Sequence, residues 1–114
     1  MTPHAIVERA ARAALAKKAS EVVVLDLRRC DAFTDFFLLA SAGSQRQMVA
    51  VADAVEAALR AEHRRPQHVE GYPRREWILL DYDVFVVHLF TPRARAFYDL
   101  ERLWGGAVRS EVVG

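Results

Sequence analysis

Phe36-Phe37-Leu38-Leu39-Ala40-Ser41-Ala42-Gly43-Ser44-Gln45-Arg46-Gln47-Met48 decides the fold, because it joins a β-strand to an α-helix through one break. The first five residues are a continuous apolar run, the pattern of a strand buried on both faces. Gly43 ends the run. Ser44 and Gln47 then form an S-x-x-Q capping box: a serine oxygen at the N-cap and a glutamine in the first turn can satisfy otherwise orphaned N–H groups. Met48, Val51, Ala52, Val55 and Leu59 follow at helical spacing, so the helix has one apolar face and should end near Glu62, before Arg64-Arg65-Pro66.

The same signals recur on either side. Upstream, Thr2-Pro3 reads as an N-cap and first helical position, and Ile6, Val7, Ala10, Ala14 and Leu15 form a stripe. Val22-Val23-Val24-Leu25 is a second buried strand, and Arg28 to Thr34 a connection. Downstream, His68 to Gly71 is a short extended piece, with a turn at Gly71-Tyr72-Pro73. Trp77–Leu80 and Val84–Phe90 are strands of a hairpin around Asp81-Tyr82-Asp83. Thr91-Pro92 opens a last helix with Phe97, Leu100, Leu103 and Trp104 on one side, stopped by Gly105-Gly106. The order predicts a single α/β domain over residues 1–107: a mixed sheet with helices on both faces. Phe36 to Val69 is a strand–helix–strand unit whose two strands should run parallel if they share a sheet. Residues 108–114 carry little pattern and are expected to fray.

Composition narrows the function. The chain has 114 residues, 53% of them hydrophobic, and a formal net charge of +1. That suits a globular domain and gives no general affinity for nucleic acid or membrane. No apolar run approaches the ~20 residues of a membrane span. One cysteine, Cys30, excludes an internal disulfide and points to a cytosolic compartment. Arginine pairs at 28–29, 64–65 and 74–75 fall in loops or at element ends, where solvated charge is the ordinary role and phosphate contact the alternative.

Catalytic signals are weak. The four histidines are scattered without metal-ligand spacing, so no metal or cofactor is expected. His88 interrupts an apolar strand, where packing and hydrogen bonding come first and a partner contact second. Asp81 and Asp83, at i and i+2, could hold a metal for nucleotidyl or phosphoryl transfer. They stand far from Gly43-Ser44, lack a third carboxylate, and fall where a turn makes aspartate ordinary. Trp77, Leu80, Asp81, Tyr82 and His88 form the expected partner-binding patch, since aromatic side chains anchor protein interfaces and carboxylates steer them.

Three stretches together carry a family resemblance. They are Lys17-Lys18 with Val22 to Arg28; Thr34 to Ser41, running through Ser44-Gln45-Arg46-Gln47 to Asp53; and Glu70-Gly71, Trp77 to Tyr82, Val86-Val87-His88, Arg95, Phe97-Tyr98, Leu100-Glu101 and Leu103-Trp104. Over residues 5 to 107 they resemble the ribosomal silencing factor (Iojap) family. The resemblance implies a nucleotidyltransferase-like fold without that activity. It also implies binding to ribosomal protein number fourteen on the large subunit, obstruction of the small subunit, and lowered translation when nutrients are short. It allows a homodimer, and Arg64, Arg65, Arg74 and Arg75 could add a minor ribosomal RNA contact. The sequence departs from the family at Asp83-Val84, usually Gly-Asp, at Phe85, usually a smaller aliphatic residue, and at Cys30, usually small and polar. Asp83 must then take the left-handed turn conformation that glycine adopts more cheaply.

Overall fold

The computed structural model describes residues 2–71 and 76–114. Its elements are α1 (Pro3–Ala16), β1 (Ser20–Asp26), β2 (Phe36–Ser41), α2 (Gln45–Arg60), β3 (His68–Glu70), β4 (Trp77–Asp81), β5 (Phe85–Phe90), α3 (Pro92–Tyr98), α4 (Leu100–Leu103) and β6 (Val108–Glu111). The strands form one sheet in the order β3-β4-β5-β2-β1-β6. Only β2 and β5 pair in parallel; the other neighbours are antiparallel. The two continuous apolar runs thus lie side by side at the centre, where both faces are covered and every residue of each strand is buried.

Side-chain alternation divides the core in two. One cluster joins α1 and α2 to one face through Ile6, Val7, Met48, Val55, Leu38, Leu80 and Phe85. The other face carries Val23, Leu25, Phe37, Leu39, Val86 and Phe90, covered by Ala94 of α3 and partly by Leu100 and Trp104. Helices on both faces of a mixed sheet are what the alternation of strands and capped helices predicts. β3 shares the sheet with β2 and runs parallel to it but is not its neighbour; β4 and β5 lie between them, and the paired parallel partner of β2 is β5.

The helix starts follow their chemistry. Thr2 Oγ1 accepts from Ala5 N at 3.1 Å, Ser44 Oγ from Gln47 N at 3.1 Å and Thr91 Oγ1 from Ala94 N at 3.2 Å, each cap contributing about 1 kcal/mol. Gln47 reaches one residue past the N-cap that a capping box would bond. Its Oε1 accepts from Gly43 N at 2.8 Å, and its Nε2 donates to Lys18 O at 2.9 Å and Lys17 O at 3.3 Å. One amide therefore fastens the end of α1 to the start of α2.

Two expectations are corrected. The segment from Val108 does not fray through Glu111: β6 pairs with β1 from Val108↔Asp26 to Glu111↔Val23. Its four residues are exposed, so backbone pairing to an edge holds it, and no apolar pattern announces that. The last helix is not continuous either. Asp99 is left-handed (φ 46°, ψ 54°) and divides α3 from α4. The break takes Phe97 and Leu103 out of the predicted stripe and leaves them 79% and 72% exposed, while Leu100 and Trp104 still pack on the sheet.

Buried Arg95 fixes this broken helix. Its guanidinium donates to the Glu21 carbonyl, to Ser41 Oγ at 3.1 Å and to Glu101 Oε1 at 3.0 Å. Glu21 is itself left-handed (φ 48°) at an irregularity in the β1–β2 register, which turns its carbonyl to the arginine. Arg109 of β6 grips the other oxygen of Glu101 at 3.1 Å. One buried charge thus ties α3, α4, β1, β2 and β6 together; removing one partner of such a network costs more than the network adds over an apolar core.

Candidate protein-docking face

Strand register sorts the five predicted contact residues. On β4 and β5, Trp77 lies opposite Phe90 and Leu79 opposite His88, whereas Leu80 lies opposite Val87. Residues at spacing two share a face, so Trp77 and His88 belong to the α3/α4 face and Leu80 to the α1/α2 core. Leu80 is fully buried. Tyr82 is 4% exposed and stacks on Phe85, ring centroids 5.0 Å apart. It is core, not a free turn residue, so an Asp-Tyr-Asp triplet that reads as a turn hides an aromatic anchor. Asp81 is half-buried, and its Oδ1 accepts from Asp83 N at 2.8 Å. The aspartates thus build the hairpin turn, with Asp83 left-handed at φ 72° as its replacement of glycine requires. Among the described residues no three His, Cys, Asp or Glu side chains group to hold a metal. Of the five, the structure brings together Trp77 and His88.

Trp77 Nε1–H donates to His88 Nδ1 at 3.1 Å. That bond makes Nδ1 the acceptor and puts the ring proton on Nε2, which is buried and meets no hydrogen-bond partner among the described residues. Burial pushes the His88 pKa down to about 3, so the imidazole is neutral. Phe37 meets it edge-on at 4.4 Å, and Phe90 stacks at 6.1 Å. The histidine is an aromatic core member whose one polar bond orients the indole.

Above this layer, among the described residues, the face carries further aromatic side chains. Trp77 packs on Tyr98 at 4.5 Å, and Tyr98 on Phe97 at 5.1 Å. Phe37 carries Trp104 at 5.8 Å and the exposed Phe33 at 6.1 Å. Between β4 and α3 lies a groove of about 570 Å³, bounded by Trp77, Ala94, Phe97 and Tyr98 with Glu76 and Arg93 at its mouth. Gly71 closes one side. Its φ is +95°, and a Cβ there would come within 1.7 Å of the Trp77 carbonyl, so only glycine lets the chain pass this close. Sequence reasoning missed Phe33, Phe97, Tyr98 and Leu103 as surface residues. The available signal for Leu103 was Asp99, which tolerates the left-handed conformation that redirects the chain after it. A partly exposed aromatic surface with a polar rim is suited to binding a protein. Of the arginines expected to assist, Arg64 and Arg65 lie at the end of α2, near the Asp81 end of β4; Arg74 and Arg75 lie outside the described residues.

A protein family described as ribosomal silencing factor during starvation matches residues 1–113. The chain belongs to the ribosomal silencing factor family. It is 33% identical to the ribosomal silencing factor of Halalkalibacterium halodurans over 114 residues, covering 100% of this chain and 97% of that one. It is 34% identical to the chloroplastic Iojap protein of Zea mays over 102 residues, 90% of this chain but 44% of the maize protein. A crystal structure of a Chromobacterium violaceum protein superposes with a TM-score of 0.88 at 32% identity, covering 100% of this chain and 95% of that one. The family fold is thus this fold, and the resemblance carried by the three sequence stretches is a true membership.

Proposed function

We propose that this ribosomal silencing factor acts as a binding protein and not as an enzyme. It docks on the large ribosomal subunit through ribosomal protein number fourteen, obstructs joining of the small subunit, and so represses translation when nutrients are short. The observation that carries the reading is the partly exposed aromatic surface of half-buried Trp77 with exposed Phe97 and Tyr98 on a chain of this family. Such a surface loses water on docking, and large aromatic side chains lose little conformational freedom when they anchor an interface. Trp77 makes the direct contact and His88 positions it. Leu80 and Tyr82 support the sheet from the other face and contribute no contact surface. Asp81 rims the far end of β4. The rim charges Glu76 and Arg93, 3.9 Å apart and exposed, set orientation more than affinity.

The test is co-sedimentation with purified large subunits, paired with binding to the isolated partner protein. Tyr98→Ala is the cleaner probe because Tyr98 is half-exposed; Trp77→Ala needs a melting control. Loss of a hot spot weakens binding by ~2 kcal/mol or more, about 30-fold. Unchanged affinity of a folded Tyr98→Ala protein for both targets would place the interface elsewhere.

A further inference from the structure

Arg60, Arg64 and Arg65 converge on one open groove beside Pro66. Sequence alone does not bring them together. α2 ends in a turn in which Arg64 N donates to Leu59 O at 2.8 Å and His63 N to Arg60 O at 2.9 Å. His63 takes the left-handed conformation at φ 61°. This helix stop wraps 6→1 and 5→2 and is normally built on glycine. A histidine there carries a conformational cost of about 1 kcal/mol. The turn folds the chain back so that Arg64 and Arg65 flank Arg60.

The charge is left uncompensated. Glu62, the adjacent acid, is engaged by Arg9 of α1 at 3.2 Å. Among the described residues no ion pair reaches Arg60, Arg64 or Arg65, nor the scattered Arg29, Arg46 and Arg102, whereas Arg9, Arg12, Arg28, Arg93, Arg95 and Arg109 each have at least one; only the first three share a groove. Glu56 lines the same groove and reduces the local charge without cancelling it. Arg60 lies in the last turn of α2, where a cation suits the helix dipole. That accounts for one arginine and not for the two beyond the helix.

We infer that Arg60, Arg64 and Arg65 form a phosphate-binding contact for ribosomal RNA, a second foothold beside the aromatic face. The inference rests on the docking reading above. Guanidinium groups bind phosphate oxygens through two parallel hydrogen bonds, and three of them line this one groove at the end of α2. The cluster lies near the Asp81 end of the sheet edge, since Gln67 N donates to Asp81 O at 2.8 Å and β3 pairs with β4. Trp77 lies at the opposite end of β4. One rigid domain can therefore meet a protein at one end and adjoining RNA at the other.

The experiment compares the wild type with the triple variant Arg60→Ala, Arg64→Ala, Arg65→Ala. Both are titrated against large subunits, the isolated partner protein and a labelled mixed-sequence RNA hairpin between 50 and 200 mM salt. A triple lysine variant controls for folding and should keep the salt dependence, because the charge remains. If the arginines meet phosphates, the wild-type advantage on subunits falls roughly 20- to 40-fold across that range, as three lost contacts at ~0.7–0.9 in log–log slope require. Affinity for the isolated protein stays within about twofold, and weak hairpin binding by the wild type disappears in the alanine variant. Equal salt slopes for wild type and alanine variant, with co-sedimentation intact, overturn the inference alone. Subunit binding lost in the variant, with no hairpin binding by the wild type, identifies an acidic protein surface instead and overturns it too. Failure of the wild type to co-sediment refutes the docking reading and this inference with it.

Discussion

His88 should make the domain acid-sensitive through burial alone. Its folded pKa is pushed down to about 3 from 6.5, and its neighbours are Phe37, Trp77 and Phe90 with no charge among them. Between those two values the unfolded chain takes up a proton that the folded chain refuses. The stability tied to the neutral ring is therefore complete above pH 6.5 and drains away as pH falls toward 3. From pH 6.5 to 4.5 the loss is about 1.4 kcal/mol per pH step, or about 3 kcal/mol in all, a large part of the 5–15 kcal/mol typical of a domain. His88→Leu keeps the site apolar and removes the titration. Urea unfolding followed by far-ultraviolet circular dichroism at pH 7.5 and 4.5 measures both proteins without depending on Trp77 emission. Other acid-sensitive groups cancel in the comparison. These include Asp26, lowered by its bond to Arg28, and Glu101, which burial raises but Arg95 and Arg109 lower further. His88→Leu is expected to be less stable at pH 7.5, where Trp77 loses its acceptor, and to lose about 3 kcal/mol less than wild type on acidification. Equal acid losses in the two proteins would refute the reasoning.

Tyr82→Ala should destabilise the fold by about 3–5 kcal/mol, as for a buried aromatic ring, with a parallel loss of denaturation midpoint. A change below ~1 kcal/mol would mean that its stacking on Phe85 contributes little. Asp83→Gly should raise stability by up to about 1 kcal/mol, because it removes the left-handed cost of a residue with a Cβ, and the melting temperature by roughly 4 °C. The Thr34 Oγ1 bond to the Asp83 carbonyl, 2.9 Å, does not depend on the side chain and should survive; a lower melting temperature would show that the aspartate supports the turn.

Much of this architecture is written in local chemistry. The runs Phe36–Ala40 and Val84–Phe90 announce central strands because burial on both faces leaves no room for alternation. Thr2-Pro3, Ser44 and Thr91-Pro92 announce helix starts because each hydroxyl has one nearby N–H to satisfy. β6 is silent because Val108–Glu111 joins mainly through backbone pairing, with Arg109 held by Glu101 across the fold, and neither leaves a mark on side-chain spacing. The proposed contact patch is only partly one surface. Trp77 stands out as an aromatic beside a carboxylate and His88 as a histidine in an apolar strand, and the two share a face; strand alternation sends Leu80 to the opposite core. Tyr82 misled because turn propensity at Asp81 and Asp83 was extended to the residue between them. Phe97 escapes the reading because α3 buries Ala94 and Arg95 instead, and Leu103 because the left-handed Asp99 redirects the chain after it.

Gln47 sits at a narrow place in sequence space. A capping box accepts glutamate as readily as glutamine, and a single base change in the codon converts one to the other. Here, however, the same amide also donates to the carbonyls of Lys17 and Lys18. A carboxylate has no hydrogen to offer them, so oxygen would face oxygen where α1 meets α2. The substitution that local rules treat as neutral drift is the one this junction cannot absorb, and the tolerance of the site is set by a helix many residues upstream.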